Sequence, residues 1–291
     1  MAASSTAKMV FCCWSVRDHT NTDRGEFSHE HGLVQGNHMK SVLVTGAAQG
    51  IGLAIATRFA EAGWLVGLFD TNADACRALL QRPPFGRSVA GYCDVTDRDS
   101  VSRALSEFGA ISGHRLNVLI NNAGVLTSGP FESLTPEQVD AMIAVNITGL
   151  TQVSQLAFPL LRDTPDSMVM NLCSASSIHG IPWLGVYSAS KFYVNGLTQA
   201  LSLEWSEHDI HVTCLKPVPI NTAMGMQLEE RHTKNMAINI EPEAVADVAF
   251  RAVSYRRPHH FVGRSAWWWH LVNRLLPMRL RERLVRSLIG S

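Results

Sequence analysis

With 291 residues, 46% of them apolar and 17% charged, the chain has the make-up of an ordinary globular protein with ample core, one large domain or one domain with extensions. Lys plus Arg balances Asp plus Glu at 25 each, which excludes a whole-chain field that would draw it to nucleic acid. Six cysteines, at 12, 13, 76, 93, 173 and 214, show neither tight pairing nor zinc spacing, and no metal site is expected. Cys93 and Cys173, in apolar strand-like runs, read as small buried hydrophobes of a reducing cytoplasmic compartment.

Residues 1–38 are polar and mixed in charge, and are expected to be a disordered extension ahead of Met39. Met9 to Trp14 is too short for the apolar core of a signal peptide, and no run is expected to span a membrane. His29-Glu30-His31 and His259-His260 look like ligand pairs, but neither has a second cluster at a recognisable distance, so solvated loop histidines are expected. From residue 41, short β-branched runs alternate with helical stretches. Val42 to Val44 is a strand, Ile51 to Ala62 a helix stopped by Gly63, and Trp64 to Phe69 a second strand. Residues 73–81 predict a helix, Ser88 to Tyr92 a strand, Asp97 to Phe108 a helix and Leu116 to Ile120 a strand. Pro136 to Leu161 carries helical periodicity with a break near Pro159, followed by strand Met168 to Leu172, helix Ser188 to Trp205 and strand His211 to Leu215. Continuous apolar strands between helices predict an α/β fold, a doubly wound parallel sheet of Rossmann type with about seven strands and helices on both faces. Its ligand crevice lies beyond the carboxyl ends of the strands. The expected organisation is a single catalytic domain over 39–264 with a helical tail over 265–291.

Three patterns carry chemistry. Thr45 to Gly52 follows the first strand and opens the first helix; Gly46, Gly50 and Gly52 permit a tight turn and close approach of a pyrophosphate to a helix N-terminus, with Gln49 and Ile51 between them. Asp70 ends the second strand, where a carboxylate accepts hydrogen bonds from an adenosine ribose and repels a 2′-phosphate. That favours NAD over NADP, although an Asp in a turn before Thr71-Asn72 would occupy the same position. Finally, Tyr187 and Lys191 stand four apart on one helix face, with Ser174 upstream. An ammonium beside a phenol eases its ionisation; bringing a Tyr near neutrality takes about three pK units, roughly 4 kcal/mol.

Together these motifs resemble those of the short-chain dehydrogenase/reductase family in its compact form, over residues 41 to about 255. Within the resemblance, Asp94-Val95 matches the pair that contacts adenine, Asn122-Ala123-Gly124 belongs to the motif ending the fourth strand, and Asn146 matches the active-site helix Asn. Ser174 lies 13 residues before Tyr187, as the family's catalytic Ser does. The resemblance implies Tyr187 as general acid/base, Lys191 as ribose holder and depressor of the Tyr pKa, Ser174 as donor to the substrate oxygen, and Asn146 as holder of a relay water. Pro217 and Thr222 match cofactor contacts, but Val218 stands where the family usually has Gly. The family also implies a dimer or tetramer built on the helices around 136–161 and 188–205.

His179, Trp183 and Leu184 fall where family members line the substrate pocket, and Ala223 to Asn239, with Met224, Met226 and Met236, where they carry a lid. Met and Trp make an adaptable apolar surface, so the expected substrate is an apolar secondary alcohol or ketone, steroid-, retinoid- or lipid-like. The tail joins Trp267-Trp268-Trp269 to an Arg-rich amphipathic segment, a pattern that fits a membrane interface and equally a helix docked on the body or on another subunit. The rival to an oxidoreductase is a non-catalytic dinucleotide sensor or membrane-tethered scaffold on the same fold.

Overall fold

The computed structural model describes residues 39–226 and 240–289; the expectation for residues 1–38 and that for Met236 lie outside the described residues. Strands β1 (Ser41–Thr45), β2 (Leu65–Asp70), β3 (Val89–Tyr92), β4 (Val118–Asn121), β5 (Met168–Leu172), β6 (His211–Pro217) and β7 (His259–Val262) form one parallel sheet in the order 3-2-1-4-5-6-7. The order reverses between β1 and β4, and the crevice of a doubly wound sheet opens there.

Side-chain alternation divides the core between the two faces. Val42, Val44, Val66 and Leu68 point to one side, where α1 (Gly50–Glu61) and α8 (Pro242–Ala252) cover them through Ile55, Phe59, Val245 and Ala249. Leu43, Leu119, Val169 and Val212 point to the other, under α3 (Arg98–Ser112) and α5 (Leu150–Arg162). Phe59 is fully buried with edge-on rings from Trp64 at 5.0 Å and Phe250 at 5.2 Å, and a side chain of that size contributes roughly 1.5–3 kcal/mol by burial. The remaining helices are α2 (Ala73–Leu79), α4 (Pro136–Ile143), α6 (Gly185–Glu204), the single turn α7 (Ala223–Met226), α9 (Arg264–Leu275) and α10 (Met278–Ile289).

Three expectations are corrected. The predicted helix 136–161 is interrupted at Ala144–Gly149, a π-helical turn, and runs on through Pro159 to Arg162. Close packing accounts for the position of the turn: a Cβ on Gly149 would stand 2.7 Å from Val95 Cγ2, and Gln152 Nε2 donates to the Val95 carbonyl. Taken together with its π-turn, the run Pro136–Arg162 also has the length and apolarity of a membrane-spanning segment, against the expectation of none. Its apolar residues Met142, Val153, Ala157 and Leu161 are buried in the fold. Lastly, His259 and His260 are not loop residues but the start of β7, half-buried; burial first, then neighbouring cations and histidines, pushes each imidazole down to about 4.

Candidate active site

The turn after β1 is locked to β4 by polar bonds. Thr45 Oγ1 donates to the Ile120 carbonyl (3.3 Å) and accepts from the amides of Asn122 (3.1 Å) and Ala123 (3.2 Å). Asn122 Nδ2 returns to the carbonyls of Thr45 (3.0 Å) and Gly46 (2.9 Å). Gly46 and Gly50 adopt positive φ, +66° and +58°, which side chains with a Cβ rarely tolerate. The Gln49 side chain makes no cap bond, so no side chain of the cap claims the first amides of α1. A free helix N-terminus behind a turn stripped of Cβ atoms fits an anionic pyrophosphate.

Asp70 is held in the turn and also reaches the cavity. Its Oδ2 accepts from Ala48 N (3.1 Å) and its Oδ1 from Asn72 N (2.9 Å), a turn role, yet the residue also lines the cavity described below. A carboxylate has about four acceptor sites, which leaves capacity for ribose hydroxyls. Asp94 is likewise anchored, its Oδ1 accepting from Thr96 N (2.8 Å) and Thr96 Oγ1 (2.7 Å).

Tyr187 and Lys191 lie one turn apart on α6. Lys191 Nζ donates to the Leu172 carbonyl (2.8 Å) and lies 5.6 Å from the centre of the Tyr187 ring. Burial lowers the Lys191 pKa and pushes the Tyr187 phenol up to about 12, partly opposed by its hydrogen bond with Ser174 and reinforced by Cys173. The expected depression of the phenol by Lys191 is therefore reversed. Desolvation is the first cause at both groups, and it disfavours the charged form of each. Ser174, at the end of β5, accepts from Ser176 N (3.1 Å) and caps the turn Ala175–Ser177. Asn146 is buried in the π-turn: Oδ1 accepts from Val125 N (2.9 Å), which leaves one of its two acceptor sites, while Nδ2 donates to Val125 O (2.9 Å) and Ser190 Oγ (3.1 Å).

One cavity of about 950 Å³ joins these groups, and every residue predicted for catalysis or cofactor contact lines it except Gly52 and Asn146. Gly52 sits behind the wall, where a Cβ would fall 2.1 Å from Gly46 O. Of the predicted substrate-side residues, Leu184 and Met224 line the cavity, whereas Met226 is exposed and His179 instead packs its ring against Trp269 at 6.2 Å. Trp183 is not on the cavity; its carbonyl accepts from Gly129 N (2.9 Å). Sequence reasoning missed Val125, Leu126, Ile181, and the tail residues Trp268, Trp269, Val272 and Val285. It also missed Ser176, a residue of the cavity wall whose buried Oγ has no hydrogen-bond partner. Only the Trp run was a signal for the tail, and it had several meanings.

A dinucleotide crevice with Ser, Tyr and Lys on one wall defines a Rossmann-type oxidoreductase site. Residues 40–233 match the short chain dehydrogenase family, and the chain belongs to it as an NAD(P)-dependent oxidoreductase. The chain is 32% identical over 188 residues to D-threitol dehydrogenase of Mycolicibacterium smegmatis, covering 64% of this chain and 72% of that protein. It is 31% identical over 222 residues to 3alpha-hydroxysteroid dehydrogenase of Mediterraneibacter gnavus, covering 72% and 87%. Among solved structures, 3-ketoacyl-(acyl-carrier-protein) reductase from Brucella melitensis complexed with NADH has the same fold, with a TM-score of 0.71 at 24% identity over 78% of this chain and 98% of that one.

Proposed function

We propose that the protein interconverts an apolar secondary alcohol and its ketone with NAD in preference to NADP. The observation that carries this is the meeting of Ser174, Tyr187 and Lys191 with the Gly46–Gly50 turn on one cavity. The dinucleotide, when bound, supplies the hydride acceptor or donor. Tyr187, held neutral by burial, gives its proton to a carbonyl oxygen in reduction; in oxidation it must first lose that proton to solvent and then, as the phenolate, takes the proton of the alcohol. Ser174 holds that oxygen, and Lys191 offers donors to ribose hydroxyls from its anchored position beside Tyr187. The Asn146 side chain, bonded to Val125 and Ser190, acts by shaping this wall. A steroid dehydrogenase among the relatives supports an apolar substrate, and a neighbouring structure with NADH supports the cofactor.

The preference for NAD rests on Asp70. Asp70→Asn, which keeps an acceptor for the turn but removes the charge, is expected to lower the NAD to NADP ratio of kcat/KM at least tenfold, about 1.4 kcal/mol. An unchanged ratio removes Asp70 from that role.

Two partner readings belong to the proposal. Exposed Trp267, Leu275 and Met278 stand among Arg274, Arg279 and Arg283, with Glu282 the one acid in 264–289, which supports peripheral contact with an anionic membrane. Exposed Phe192, Tyr193 and Leu203 on α6 support self-assembly through that helix. The four described cysteines, 76, 93, 173 and 214, are buried free thiols, which supports a reducing cytoplasmic setting. Sedimentation velocity with and without anionic vesicles reads both partner claims. The expected result is a mass above the monomer and vesicle binding that Trp267→Glu/Leu275→Glu removes. A plain monomer overturns the first claim, and binding unaffected by the double variant overturns the second.

A further inference from the structure

The end of the chain returns to the site. Because β7 pairs parallel to β6, with Val262 beside Pro217, the chain leaves β7 at the rim of the crevice. Gly263, at φ +93°, turns it there, and a Cβ at that position would come within 2.8 Å of Ile240 Cδ1. Helix α9 then lies against the turn Ala175–Ser177 that follows Ser174. Its inward side carries buried Ala266 and Asn273, while Trp268, Trp269 and Val272 line the cavity. Asn273 Nδ2 ties back to Trp269 O (2.9 Å), and the Trp269 indole lies against His179, five residues beyond Ser174. Across Pro277, α10 brings Val285, 4% exposed, to the same cavity.

We infer that the α9–α10 hairpin is the substrate-selecting wall of this site, and that it selects a bulky apolar alcohol or ketone of fused-ring or long-chain type rather than a polyol. This deepens the oxidoreductase reading and rests on it. The position is decisive: the wall stands beside the turn that carries Ser174, away from Asp70 at the opposite end of the dinucleotide crevice. Its chemistry is decisive too, since two indoles and two Val side chains offer a substrate body broad apolar contact. A polyol seated there would lose water from its hydroxyls at a cost this wall cannot offset.

The test uses the full chain with NAD and two probe alcohols, cyclohexanol and a 3-hydroxysteroid. Trp269→Ala is expected to lower kcat/KM for the steroid about tenfold or more, mainly through KM. Cyclohexanol should change less than about threefold, NAD affinity should hold, and Trp269→Phe should restore most of the loss. Equal losses on both alcohols, or none on either, overturn the wall. Calorimetry on the NAD-loaded protein separates this from a failure of the oxidoreductase reading. A steroid that binds the parent protein but is not oxidised counts against the reaction. A steroid bound equally well by parent and Trp269→Ala, or bound by neither, counts against the wall.

Discussion

Replacing Tyr187 by Phe is expected to lower kcat at least ~10³-fold while leaving the dissociation constant for NAD within about twofold. The magnitude follows from what is removed: a positioned general acid/base contributes roughly 10²–10⁴ in rate. The cofactor should be untouched because the ring remains, along with its contact to Lys191, whose ammonium stays bonded to the Leu172 carbonyl. The parent protein should also show an asymmetry with pH. Its phenol is held above the ordinary value of a Tyr, up to about 12, so the folded protein favours the protonated form. Ketone reduction, which needs that proton, should be flat from neutral pH into the alkaline range. Alcohol oxidation, which needs the proton gone, should climb steadily over the same range. Steady-state rates in both directions check this, and near-normal turnover by the Phe variant would remove Tyr187 from the chemistry.

Gly52→Ala is expected to damage both stability and cofactor binding. The added carbon would lie 2.1 Å from Gly46 O and 2.5 Å from Asn122 Nδ2. The first is backbone and cannot step aside. The second belongs to the amide that holds Thr45 and Gly46 in place, so moving it loosens the turn. Overpacking of this kind costs about 1–3 kcal/mol. The same displacement moves the first amides of α1 relative to the turn, so NAD affinity should fall by about tenfold or more. Urea unfolding and NAD titration measure the two effects; a variant that retains both would show that α1 can retreat without loss.

Much of this was legible from short patterns because each answers a local physical demand. Gly46 and Gly50 are required by positive φ, and the alternation of apolar strands with helices dictates a parallel sheet. Asp70 illustrates a position where two roles competed on the sequence: its bonds to Ala48 N and Asn72 N make the turn, and its place on the cavity wall leaves the ribose role to the proposal. What was illegible depends on distance. The direction of the Tyr187 shift could not be taken from its spacing to Lys191, because burial of the whole pair decides it. The π-turn at 144–149 packs closely on Val95 through Gly149, more than fifty positions apart in the chain. β7, whose His259 and His260 look like polar loop residues, becomes a strand because β6 offers it an edge. Trp268 and Trp269 were conspicuous, but only the placement of Gly263 tells which way they face.

The cavity wall spans almost the whole described chain, from Gly46 to Val285, about 240 positions apart. At a synthesis rate of roughly 5–20 residues per second, some ten to fifty seconds separate the emergence of these two residues from the ribosome. The glycine turn and Asp70 are made long before the residue that completes the hydrophobic wall. In birth order the molecule therefore acquires its nucleotide-facing parts first and its means of discriminating between alcohols last. A nick or fusion near the end of α10 would fall on discrimination and spare the groove that recognises the dinucleotide.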